Sequence, residues 1–197
     1  MPIKLMAIDS GFNTTQVYNF CRRFDASRVI PTKGQDKQAI PVERSKSVDR
    51  TKAGKQIGKL KQWNVGVSLL KSELYGYLRL EKDEKGTPPP CYCHFPEYGE
   101  HYFRGLTAEE QVTKIIKGYQ KTYWQKVYDR NEPLDCRIYA RAASIIVGID
   151  RFPEDKLKSM AGTSTPAKSR RTTESDEENY TPQSRERKRR RSEFWDR

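Results

Sequence analysis

Apolar residues fall in short runs between polar and basic stretches, and their spacing changes along the chain. Ile3 to Ile8 is an apolar run closed by Asp9-Ser10-Gly11, which predicts a strand and then a turn. Thr14 to Phe24 carries Val17, Phe20, Cys21 and Phe24 on one helical face. Arg28 to Pro31 predicts a second strand, ended by Lys33-Gly34. The polar, basic stretch from Gln35 to Gln62 predicts a long loop with room for a hairpin. Trp63 to Val67 predicts another strand. Ser68 to Leu80 places Leu70, Leu74 and Leu78 on one face of a helix that Ser68 is suited to cap. Gly86 to Pro90 reads as a loop and Cys91 to Phe95 as a short strand. Thr107-Ala108-Glu109-Glu110 has capping-box spacing and predicts a helix through Lys117. Asn131 to Gly148 predicts the last helix, with Asn131 at its cap, Pro133 in its first turn and Gly148 at its end.

Strand–helix–strand–helix order predicts an α/β domain with some parallel pairing. In such sheets chemistry gathers at the carboxyl ends of strands, which is where Asp9 is expected.

The aliphatic pattern stops near Met160. Beyond it lie an acidic patch, Glu174 to Glu178, and a basic block, Arg185 to Arg191. Too little apolar surface is available there to offset chain entropy, so disorder is expected. The expected division is a body over 1–155 and a charged tail over 156–197.

Composition fits that division. Only 35% of the 197 residues are apolar, against roughly 45–50% for an average globular chain. Lys plus Arg number 38 and Asp plus Glu 26, a net charge of +12, which favours a polyanionic partner such as nucleic acid. No apolar run approaches the ~18 residues of a membrane span, and the first residues lack the pattern of a secretory signal. The four cysteines, Cys21, Cys91, Cys93 and Cys136, therefore read as reduced thiols. Cys91-Tyr92-Cys93-His94 is too tightly spaced for a zinc knuckle and has no second pair, so a strand edge with small buried thiols is the simpler expectation.

Several chemistries fail to assemble. Gly54 to Leu60 resembles a phosphate-binding loop but has one residue too few between its glycines, and Leu60 offers no hydroxyl for Mg²⁺. Two histidines, His94 and His101, with no nucleophile elbow argue against a serine or cysteine hydrolase. Carboxylates remain. Asp9 closes a strand and Asp135 opens a helix. An Asx turn explains the first and a helix-dipole contact the second, but paired on an α/β scaffold they are also candidate ligands for a divalent metal. Two such metals activate water and stabilise the leaving oxygen of a phosphodiester.

A family resemblance sharpens these options. Ala7-Ile8-Asp9-Ser10-Gly11, then Val17-Tyr18 and Phe20-Cys21-Arg22, resembles the Asp-Ser-Gly segment of the large terminase subunits of lambda-like tailed phages. Lys33-Gly34, Val65-Gly66-Val67 through Lys71 to Leu74-Tyr75, Cys93-His94-Phe95-Pro96, and Leu106-Thr107-Ala108-Glu109 follow in the same order. Arg130 to Ala140 resembles the family's final helix most closely. The resemblance covers about residues 3–149.

It implies a ribonuclease-H-like nuclease fold, with a mixed sheet flanked by helices. It implies an endonuclease cutting concatemeric double-stranded DNA during packaging. Mg²⁺ or Mn²⁺ would be held by Asp9 and Asp135, with Lys33 near the site. Lys33 and Lys71 would contact phosphate, and Arg189, Arg190 and Arg191 of the basic block are further DNA-contact candidates. The implied partners are the terminase ATPase portion, the small subunit and the portal or procapsid, in the host cytoplasm. Relative to the family pattern, the packaging ATPase and an initial nuclease strand with its own metal-binding Asp are expected to be missing. A catalytically incomplete DNA-binding or assembly fragment is therefore the competing expectation.

Overall fold

The computed structural model describes residues 3–49 and 58–162. The element order is β1 (Met6–Asp9), α1 (Thr14–Cys21), β2 (Val29–Gln35), β3 (Lys46–Ser47), β4 (Lys61–Gly66), α2 (Val67–Leu78), α3 (Glu100–Leu106), β5 (Glu109–Ile116), β6 (Tyr119–Lys126) and α4 (Glu132–Val147). A short 3₁₀ turn, Ile149–Arg151, leads to α5 (Glu154–Gly162). The fold is α/β, with helices on both faces of a mixed sheet.

The main sheet has the strand order β1-β2-β4-β3. β1, β2 and β4 are mutually parallel, and β3 runs antiparallel to β4. Pro31 fits inside β2 because pairing with β4 begins only at Thr32, so its missing N–H breaks no ladder bond. β2 continues through Lys33-Gly34 to Gln35, so those residues do not end the strand as expected. Gly34 lies in the ladder, where a side chain would meet the Tyr139 hydroxyl at 3.1 Å and Val67 at 3.0 Å. Its role is close approach, not termination.

Two apolar cores flank the sheet. On one face Cys21, Val29 and Leu60 are buried, with Val17 and Ile8 against them. Phe20 and Phe24, expected on that buried face of the helix, are 39% and 47% exposed, and Phe24 lies beyond the end of α1. On the other face α2, α3 and α4 meet over Val65, Leu70, Leu74, Leu106, Leu134, Ile138 and Ala142. Burying a Leu or Ile this fully stabilises by about 1.5–3 kcal/mol each. This second core fixes α4 against α2 and α3, and Tyr139 of α4 reaches Asp9 of β1, which places the site.

Four further expectations are corrected. Residues 109–116 form a strand, not a helix. β5 and β6 make a two-stranded antiparallel ribbon turned at Lys117-Gly118, both at positive φ (52° and 79°), as tight hairpin turns require. The Thr107 capping box is therefore unused, and the helix lies upstream at Glu100–Leu106. Cys91 to Phe95 is irregular, with Cys91 exposed, so it is no strand edge with buried thiols. Ser68 lies inside α2 and does not cap it, because the helix starts one residue earlier. α4 matches its expected span, and Gly148 ends it at φ 81°, the left-handed conformation glycine adopts at least cost.

The helix Glu154–Gly162 crosses the expected body–tail boundary at 155–156. The basic block with Arg189, Arg190 and Arg191 lies outside the described residues.

Candidate active site

Asp9 ends β1 and Asp135 sits in the first turn of α4, and both line one groove of about 500 Å³. The chain brings them together because α4 lies beside β1, with Tyr139 of α4 bonded to Asp9. Asp9 is exposed. Its Oδ1 accepts from the Tyr139 hydroxyl at 2.9 Å and from the Gly11 amide at 3.1 Å. Among the described contacts its Oδ2 is left for a ligand. Burial, with the adjacent negative charge of Asp9, pushes the Tyr139 phenol far above its usual range, so it remains a donor.

Asp135 is half-buried. Burial raises its carboxyl above the usual aspartate value. The charges of Glu109 and Asp9 add to that rise, and Lys71 and Lys126 oppose it. Its Oδ2 accepts from the Asn131 side-chain amide at 3.2 Å. The same amide donates to Glu109 Oε1 at 3.2 Å. Glu109 Oε2 takes the Lys71 ammonium at 2.7 Å in a buried ion pair. The Tyr75 hydroxyl donates to the Glu109 backbone carbonyl and locks the root of β5 against α2.

The sequence-predicted residues thus fare differently. Asp9 and Asp135 converge. Lys71 joins them, but with its ammonium committed to Glu109. Lys33 does not join them. It is exposed on β2, and strand alternation puts its side chain on the sheet face opposite Thr32 and Gly34, which face Tyr139. Glu109, Asn131 and Tyr139 belong to the site and are not among the predicted site residues. Asn131, Asp135 and Tyr139 stand four residues apart, so they form one stripe on α4. That periodicity is the signal the sequence carries for them.

Two carboxylates with an oxygen each left for a ligand suit a hard divalent cation, and the mutual repulsion around Asp135 is what such a cation relieves. Among the described residues no three His, Cys, Asp or Glu side chains gather closely enough to hold a metal by themselves. Cys91, Cys93 and His94 instead line a separate aromatic cleft of about 530 Å³ with Tyr92, Tyr98 and Tyr102.

Comparison with known proteins places the chain in a family. Residues 1–156 match the family described as terminase large subunit gpA, endonuclease domain. The terminase large subunit of Escherichia phage lambda is 34% identical over 151 residues, covering 74% of this chain and 22% of the relative. That of Enterobacteria phage P21 is 28% identical over 149 residues, with the same coverage of 74% and 22%. The chain therefore spans about a fifth of the length of these relatives. No solved structure matches. The chain belongs to the family of terminase large subunit gpA endonuclease domains.

Proposed function

We propose that this chain is the metal-dependent endonuclease portion of a phage terminase large subunit, cutting concatemeric double-stranded DNA during genome packaging. The observation that carries the reading is the meeting of Asp9 and Asp135, 126 positions apart in sequence, at one groove within a family of endonuclease domains. Asp9 and Asp135 would hold Mg²⁺ or Mn²⁺. When bound, such ions activate water and stabilise the leaving oxygen of a phosphodiester. Tyr139 holds Asp9 by its Oδ1. Asn131 holds Asp135 and keeps it in register with Glu109. Lys71 offsets the negative charge of Glu109, so that the site is not overloaded before the cation arrives. The ATPase portion, the small subunit and the portal or procapsid are the expected partners, in the host cytoplasm. No helix among the described residues is long and apolar enough to cross a membrane.

A ribonuclease-H-like arrangement is part of the proposal, supported by the parallel run β1-β2-β4 with helices on both faces. Its initial strand would pair with the outer edge of β1. Met6 and Ser10 donate their amides toward β2, so by alternation the amides of Ala7 and Asp9 face outward. Beside that edge runs the groove between Ile3, Leu5, Ala140 and Ala143. A strand laid there would end next to Asp9 and add a ligand.

The second reading, a DNA-binding or assembly fragment without activity of its own, draws on the two-carboxylate site and on the engagement of Glu109 by Lys71. Plasmid nicking separates the two. The nuclease reading expects nicking that needs Mg²⁺ or Mn²⁺ and is abolished by Asp9→Asn and by Asp135→Asn. The fragment reading expects no nicking, with DNA binding that survives EDTA and falls steeply with salt.

A further inference from the structure

The outer half of the β5–β6 ribbon, residues 113–122, packs on no other element among the described residues. Every residue in it is exposed. It contains Lys114, Lys117 and Lys121 and no acidic residue. Lys114 and Lys121 are direct cross-strand partners, an arrangement that like charges make unfavourable. None of the three has a carboxylate partner among the described ion pairs. The Lys114 ammonium lies 5.6 Å from the Tyr123 ring centre. At the tip Ile115 and Tyr119 are 78% and 75% exposed. A solvated ribbon with no packing role would not be expected to concentrate unpaired lysines on facing positions. A polyanion laid along it removes their repulsion.

The root of the same ribbon is fixed in the candidate site. Glu109 is the first residue of β5, and Trp124 of β6 donates its indole N–H to Ser68 on α2 at 2.9 Å. One ribbon thus joins the lysines at its tip to the Glu109–Asn131–Asp135 network at its root. A two-stranded ribbon also has dimensions that the DNA major groove admits.

We propose that residues 113–122 form a duplex-DNA-binding arm, with Lys114, Lys117 and Lys121 on backbone phosphates, that guides the duplex to the carboxylate site. This rests on the endonuclease reading for its substrate and adds the element that grips it. The contacts are electrostatic and independent of base sequence.

The test is a salt titration of binding between the full chain and a fluorescent DNA duplex in EDTA, where no cleavage occurs. Lys114→Gln, Lys117→Gln and Lys121→Gln together should make the slope of log affinity on log salt shallower by about 0.9 for each phosphate that is no longer neutralised. The same three changed to Arg should keep the slope. A control with equal charge removed elsewhere, Lys37→Gln, Lys82→Gln and Lys85→Gln, should change it much less. Thermal melts of each variant report folding, and no substitution at these exposed positions should lower Tm. An equal effect from the control, or wild-type binding by the ribbon variant, overturns the arm, as it would if the tip docks a protein instead. Metal-dependent nicking that persists in that variant leaves the endonuclease reading standing. Absence of any DNA binding by the wild type overturns both.

Discussion

The Lys71 ammonium donates to the Glu109 carboxylate at 2.7 Å, with only 10% and 11% of the two side chains exposed. The pair ties α2 to the root of the ribbon, and Asn131 links it onward to Asp135. Removing one member leaves the other charged and buried, which costs about 3–5 kcal/mol in such pairs, whereas removing both costs far less. Lys71→Met and Glu109→Gln should therefore each lower the urea midpoint sharply. The double variant should lose clearly less than the sum of the two. A double-mutant cycle by equilibrium unfolding reads this directly, and additive losses would show the two groups to be independent.

Tyr139→Phe removes one hydroxyl and keeps the ring. Loss of the hydrogen bond to Asp9 should cost on the order of 0.5–1.5 kcal/mol in stability, at the low end because Asp9 is exposed. Its main effect should be on Asp9 as a ligand. We expect kcat for plasmid nicking to fall and the Mn²⁺ concentration for half-activity to rise, with KM for DNA little changed. A change confined to KM would mean that Tyr139 touches DNA and does not position Asp9.

Asp135 predicts a gain of stability on losing its charge. Its carboxyl sits above the ordinary value of 3.8 because it is buried, with Glu109 and Asp9 adding to the rise. The folded state therefore keeps this proton to higher pH than the unfolded state. Ionisation costs stability as pH rises from about the ordinary value through the raised one, and the cost persists at neutral pH. Asp135→Asn should melt higher than wild type at pH 7, with the difference shrinking as pH falls below the ordinary aspartate value. Mg²⁺ should raise the Tm of wild type more than that of the variant. A variant less stable at pH 7 would contradict the burial and repulsion described.

Local pattern makes some of this legible, and long-range packing decides the rest. α4 is readable because Pro133, Gly148 and the Leu134–Ile138–Ala142 stripe all agree on one helix. β1 is readable as an apolar run closed by Asp9-Ser10-Gly11, and β4 in part from Trp63 to Val67. The ribbon reads wrongly as a helix because Thr107 to Glu110 satisfies a capping-box pattern, while the hairpin signal, Lys117-Gly118 between runs rich in β-branched and aromatic residues, spans more chain. The same pattern hides Glu109, which reaches the site only because it opens a strand. Asn131 looks like a helix cap, yet its amide goes to two carboxylates and caps nothing. Lys33 is suggested by resemblance to a motif, and strand alternation turns it to the other sheet face. Such partners are fixed by tertiary packing, which spacing along the chain does not encode.

Arg141 joins three elements, and its partner Glu73 contributes to the acid sensitivity of the fold. It grips Glu73 of α2 with two hydrogen bonds, at 3.0 and 2.9 Å, and Asp150 of the 3₁₀ turn with two more, at 2.8 and 3.0 Å. The hydrogen bonds from Arg141 hold the Glu73 carboxyl below its ordinary value of 4.5, against a desolvation that raises it. A depressed carboxylate contributes stability that is fully present above its unfolded value and is lost as pH falls through the folded one. Glu73→Gln should therefore destabilise the chain at pH 7 and flatten the acid side of its Tm profile below about pH 4.5. Arg141→Lys keeps the charge but not the planar fork that serves two carboxylates at once. It should cost about 1.5–3 kcal/mol, the scale of hydrogen bonds to charged groups. Tm measured from pH 3 to 7 checks both variants. A Glu73→Gln profile running parallel to wild type through the acid range would show that Arg141 does not act through Glu73 ionisation.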